Sequence, residues 1–154
     1  MSVYIFALGI KAANGLVKST INTANAFIDS GVNTCIVNIL GKNGGFDFLD
    51  SAFDLDDRVS RISLDAVSEY LGDSLDKKTD FYVENQQFLK AHYHNGHKKA
   101  LQYLNEKLTA NDLVIFSHPL ALVLFCKANP TTKATTIIQV HGNYIEEVDN
   151  LNLL

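Results

Sequence analysis

The sequence predicts a three-layer α/β domain built on a mostly parallel sheet, and three observations carry that prediction. Short continuous apolar runs alternate with segments whose apolar residues recur every three or four positions. The runs show no polar alternation, which suits strands buried on both faces, as parallel strands are. Turn and cap residues stand at the junctions between the two patterns.

The first apolar run covers residues 3–8 and stops at Gly9. Across residues 15–30, Leu16, Val17, Ile21, Ala24, Phe27 and Ile28 fall on one helical face. Asn14 is placed to cap that helix and Gly31 to end it. Residues 34–40 form a second buried strand, which completes a βαβ unit. Glycines mark 41–45 as a loop, and 46–57 mixes aromatic and acidic residues without a period. Residues 59–64 fit a short third strand, and 81–108 fit one long helix, or two broken at Gly96. Residues 112–116 are a further strand. Pro119 can occupy the first turn of a helix over 120–128, which Asn129 and Pro130 close. A last strand over 134–140 and the start of a helix over 144–150 complete the pattern. With neither repeat nor linker, residues 1–154 read as a single Rossmann-like domain.

Composition narrows the functional classes. The chain has 154 residues, is 47% hydrophobic and carries a formal net charge of −4. The apolar content excludes a disordered or collagen-like chain. The acidic balance argues against nucleic acid and anionic membranes as non-specific partners. No apolar run approaches the ~18 residues a transmembrane segment needs. The opening run lacks the basic flank of a signal peptide. Cys35 and Cys126 each lie in an apolar segment without a C-x-x-C partner, and read as two buried, reduced thiols. A cytoplasmic location is the expectation.

In such a sheet, ligands collect beyond the carboxyl ends of the strands, near the switch in strand order. Three loops occupy that position: 9–15, 117–119 and 141–143. The first leads from Gly9 through Asn14 and Gly15 into a helix, whose exposed amides and dipole favour an anion or a hydroxyl oxygen. It is not a Walker A loop, because Lys18-Ser19 do not directly follow Gly15. It also lacks the G-x-G-x-x-G of dinucleotide sites. His141-Gly142 follows a strand, where a neutral imidazole can exchange hydrogen bonds with a substrate hydroxyl. An oxyanion-loop role in a hydrolase would need a G-x-S-x-G elbow, and the chain contains none. His118 can line the same cleft or cap the following helix. In the cluster His92, His94 and His97, helical spacing puts His92 and His97 on different faces and no carboxylate or Cys completes a set, so it reads as a solvated face and no metal is expected. Asp47, Asp50, Asp54, Asp56 and Asp57 lack the order of a calcium loop. They read as a surface segment able to flank an acceptor groove.

Residues 3–8, the 9–15 loop, the helix from Leu16 through Phe27 and the strand 32–39 resemble the start of the family 4 glycosyltransferases. These are retaining enzymes of GT-B architecture, with two Rossmann-like domains. Residues 112–118 resemble a later strand of that family. The run Ile137-Ile138-Gln139-Val140-His141-Gly142 is similar to the strand whose terminal His-Gly lies at the active site. The nearest likeness is to bacterial enzymes that glycosylate teichoic acid or related cell-surface polymers. The resemblance implies a sugar transfer from a nucleotide-sugar co-substrate to a polymer or lipid-linked acceptor, without a metal. The full-length enzyme would associate peripherally with the membrane. It implies that Gly15 and its neighbours approach the donor phosphate or the acceptor, that His141 orients the donor sugar beside Gly142, and that His118 forms a second wall. The family's paired glycines stand here as Asn14-Gly15. Its donor-binding C-terminal domain is absent from these residues, so the chain is expected to be the acceptor-side half and inactive alone. The alternative expectation is a free-standing, flavodoxin-like binding or interaction module.

Overall fold

A computed structural model describes residues 1–11, 13–39, 51–72 and 97–140. The described elements run β1 (Ser2–Ala7), α1 (Gly15–Asp29), β2 (Asn33–Asn38), β3 (Ser60–Ser63), α2 (Leu64–Tyr70), α3 (Lys98–Lys107), β4 (Leu113–Phe116), α4 (Pro119–Ala128) and β5 (Thr135–Ile138). Every strand pair is parallel, and the order across the sheet is β3-β2-β1-β4-β5. The chain fills one flank of β1 and then returns to fill the other, so the switch in order falls between β1 and β4. The expected Rossmann-like α/β architecture is therefore what the chain adopts. Its order differs from the 2-1-3-4-5 of flavodoxin-like sheets.

Strand alternation divides the core into two layers. Val3, Ile5, Ala7, Ile36 and Ile115 face α1, whose Val17, Ile21 and Ala24 bury against them together with Ile10 and Val59. Phe53 and Leu55, from the non-helical segment 51–59, complete that cover. Phe6, Cys35, Val37, Ile39, Val114 and Phe116 face the opposite way, beneath α2, α3 and α4. At the centre of that second layer, Phe6, Phe116 and Phe125 stand in mutual contact, with ring centroids 5.6, 5.3 and 5.3 Å apart in tilted or edge-on arrangements.

Local chemistry sets the helix ends where the sequence places them. Asn14 caps α1, its Oδ1 accepting from the Val17 amide at 2.9 Å. Gly31 follows at φ 79°, a left-handed conformation that favours glycine, and stops the helix. Pro119 is buried in the first turn of α4. At the amino edge, the Asp112 carboxylate accepts from Ser2 N (2.8 Å), Thr109 N (2.9 Å) and Thr109 Oγ1 (2.8 Å). Its backbone oxygen accepts from Thr135 N at 3.0 Å. One residue thus fixes the starts of β1, β4 and β5.

Several expectations are corrected. The third strand ends at Ser63, and Leu64 belongs to α2, a helix the periodicity did not predict; the Ser63 hydroxyl caps it by accepting from Ala66 N at 3.0 Å. His97 is not on a solvated face. It is 2% exposed, and its Nε2 lies 2.8 Å from Oδ1 of equally buried Asp65, joining the start of α3 to α2. Cys35 is buried, which pushes its thiol up to about 12, but Cys126 is exposed on α4. Both are free thiols, as expected. The last strand, β5, is as expected present, and it is exposed at one edge of the described sheet. His92, His94, Gly96 and the helix expected over 144–150 lie outside the described residues.

Candidate functional site

The carboxyl ends of β2, β1, β4 and β5 form one continuous edge, to which the 9–15 and 117–119 loops both belong. Ile39 N donates to Ala7 O at 2.9 Å, Ser117 N to Phe6 O at 3.0 Å and Gln139 N to Phe116 O at 2.9 Å, so the sheet ladder persists to its last row. Loop 9–15 is anchored by Ile10, which is 1% exposed and whose carbonyl accepts from Ala52 N at 3.3 Å.

Gly9 and Gly15 adopt ordinary negative-φ backbone, and a Cβ built on either meets nothing within 4 Å. The fold therefore does not require glycine at these positions. Their lack of side chains leaves the start of α1 open on its outer side. Asn14 satisfies two of the helix's leading amides: its side chain takes Val17 N, and its carbonyl takes Lys18 N at 3.0 Å. Gly15 and Leu16 have no upstream helical carbonyl to receive their N–H groups. The first turn carries no acidic residue, and Lys11 and Lys18 are exposed beside it. The dipole and both lysines favour an anion at this helix start.

Across β1, Ser117 is buried and its hydroxyl donates to Phe6 O at 3.2 Å. His118, half-buried, caps α4: Nδ1 accepts from the Leu120 amide at 3.1 Å. That bond orients the ring and leaves the proton of the neutral imidazole on Nε2. His118 therefore stands at the expected edge, with a structural role at one ring nitrogen. His141 and Gly142 lie outside the described residues. The chain reaches this edge just before them, at Gln139 and Val140.

The described part of the acidic run lies elsewhere and does not flank this edge. Asn25, well down α1, donates to Asp54 O at 2.9 Å and accepts from Asp56 N at 3.0 Å. Arg58 bridges Asp56 (2.7 Å) and Asp29 (2.6 Å), the last residue of α1, and holds the Asp56 carboxyl down at about 2 through hydrogen bonds. Asn25, Asp54, Leu55, Asp56 and Asp57 line a shallow hollow of about 440 Å³ near that end of the helix. Asp47 and Asp50 lie outside the described residues.

Sequence reasoning passed over a polar row on the α1 face. Asn38 pairs with Ala7 in register, and alternation from Ile36 directs its side chain toward the α1 layer. Ser117 follows Ile115 in the same sense, and Gln139 follows Ile137, which pairs with Ile115. The Gln139 Nε2 lies 3.5 Å from Thr23 Oγ1 on α1, which fixes its side. The available signal was a polar residue at or next to the carboxyl end of each strand. Among the described residues, no three His, Cys, Asp or Glu side chains are grouped to hold a metal ion, and no helix is long and apolar enough to cross a membrane. No family model, curated protein or solved structure matches the chain.

Proposed function

We propose that the chain is the acceptor-side domain of a retaining glycosyltransferase of GT-B type, with the carboxyl edge between α1 and α4 as its ligand crevice. The observation that carries this reading is the start of α1. It lies at the switch in strand order, is free of acidic residues in its first turn, and is bordered by glycines the fold does not need. A phosphate-bearing sugar ligand suits such a position, because the helix start supplies donors to the phosphate and the polar row supplies partners to hydroxyls.

In this reading Gly9, Asn14 and Gly15 shape the approach to the helix start, and His118 forms the opposite wall. His141 and Gly142, which follow the last described strand in the sequence, would orient the donor sugar. The co-substrate is a nucleotide-sugar and the acceptor a polymer or lipid-linked molecule. Electrostatic stabilisation of the leaving phosphate is usually the largest catalytic contribution. It would come from the second domain of a GT-B pair, so these residues alone bind ligand without turning it over.

Titration of the ¹⁵N-labelled chain with UDP-glucose and with a glycerol phosphate oligomer tests the reading. The expected result is chemical-shift change at Gly9, Lys11, Gly15, Leu16, Ser117 and His118. Change confined to the Asp54–Asp57 hollow, or none at millimolar ligand, would overturn it. So would glycosyl transfer by this chain alone, as regards the division of labour between domains.

A further inference from the structure

Among the described residues, four buried side-chain atoms have no hydrogen-bond partner: Asn38 Oδ1, Ser68 Oγ, Asn105 Oδ1 and Gln139 Oε1. Ser68 lies inside the helix layer on α2, and Asn105 belongs to α3 near the opposite edge. The other two belong to the polar row at the carboxyl edge. Asn38 is the more telling, since the whole residue is 1% exposed. A buried acceptor without a partner loses its hydration with nothing in return, which destabilises the folded state. Native sequences keep such groups where something else satisfies them.

We propose that Asn38 binds a hydroxyl of the ligand and so selects a polyol or sugar over a bare phosphate; the inference rests on the reading of the carboxyl edge as the ligand site. The chemistry follows from the inventory of donors and acceptors. An amide oxygen accepts and needs a donor; a sugar offers several hydroxyls for this, whereas a phosphate held by the amides of α1 offers mainly acceptor oxygens. The start of α1 has the converse need, since its amides donate. Between Asn38 and Ser117 the row carries only Ala7, whose methyl group occupies little space. Gln139 Oε1 sits three strands from Asn38, about 14 Å at the usual strand spacing, and can take a second hydroxyl from a ligand longer than one sugar ring. A phosphorylated sugar is thus held at two chemically distinct points, phosphate at α1 and hydroxyl at Asn38.

The test compares glucose 1-phosphate with inorganic phosphate on the ¹⁵N-labelled chain and on Asn38→Leu. Both probes are expected to shift Gly15 and Leu16, and only glucose 1-phosphate to shift the Asn38 side-chain NH₂. Asn38→Leu should weaken glucose 1-phosphate about three- to tenfold, the worth of one hydrogen bond, and leave phosphate affinity unchanged. Equal affinity of both proteins for glucose 1-phosphate overturns the role of Asn38 while the site stands. Neither probe shifting the 9–15 loop overturns the site and the inference with it. If Asn38→Leu does not fold, the wild-type NH₂ signal decides, and its failure to move with glucose 1-phosphate bound overturns the proposal.

Discussion

On the face covered by α2, α3 and α4 the strands finish apolar at the carboxyl edge, with Ile39, Phe116 and Ile138, whereas on the α1 face the same strands finish with Asn38, Ser117 and Gln139. One backbone produces both outcomes, because successive side chains point to opposite faces. The helix-rich face holds the aromatic cluster and a buried His97–Asp65 pair. Among the described residues, the α1 face is covered by one helix and a non-helical segment, and ends in unmatched acceptors. The aromatic packing and the proposed binding groups thus lie on opposite sides of a single sheet. A one-residue slip in register would exchange them.

The sharpest way to break this comparison is to strike the helix-rich face. Phe116→Ala removes the ring shared by Phe6 and Phe125 and should destabilise the fold by about 3–5 kcal/mol in urea unfolding. A loss under about 1 kcal/mol would mean that the cluster is not where stability resides. Asp65→Ala removes a buried hydrogen bond from the His97 ring and should cost roughly 3 kcal/mol. A double-mutant cycle with His97→Leu should show the two changes to be strongly non-additive, and simple additivity would contradict the pairing.

A smaller effect comes from the amino edge, where the Asp112 carboxylate accepts three hydrogen bonds. Burial opposes the charge of Asp112, but hydrogen bonds from Thr109 and Ser2 and the nearby chain terminus outweigh it and hold its carboxyl below the ordinary 3.8. The folded-state value is the depressed one, so this contribution is present above pH 3.8 and is lost as pH falls through the folded value. Asp112→Asn should flatten the acid limb of the stability curve, and an unchanged limb would show that other carboxylates set it. Smallest in stability is Gly15→Ala on the α1 face. Ala is the better helix former and a Cβ meets nothing there, so unfolding free energy should change by under about 1 kcal/mol in either direction. Affinity for glucose 1-phosphate should nevertheless fall, because the new methyl group stands on the open side of the helix start. Calorimetric titration showing equal affinity would remove Gly15 from the site.

Where one physical signal dominated, the sequence was readable. β1, β2 and β4 are apolar runs buried on both faces, and α1 carries its cap, its periodic face and its glycine stop in order. α2 was hidden because its seven residues are too short to show a period, although Ser63 followed by Asp65 is a helix-start signal. His97 was misjudged because its partner is 32 residues away and no local pattern links them. Cys126 sits among apolar neighbours, yet α4 turns it outward. Of the candidate site, Asn14, Gly15 and His118 could be placed at a strand's carboxyl end from the alternation of elements alone. Asn38 could not be singled out, since its significance lies in being left unpaired, which only three-dimensional neighbours decide.

The central position of β1 has a consequence in time. Its β2 flank can close once residue 38 is available, but its other flank waits for β4, more than a hundred residues along the chain, as the Ser2–Asp112 and Ser117–Phe6 hydrogen bonds record. During synthesis the first βαβ unit therefore emerges with the inner strand of the future sheet bare along one side. Parallel pairings this distant form slowly, and an apolar strand with a bare edge invites pairing with other chains while it waits. The most protected strand of the finished fold is the one most exposed to misassembly on the way there.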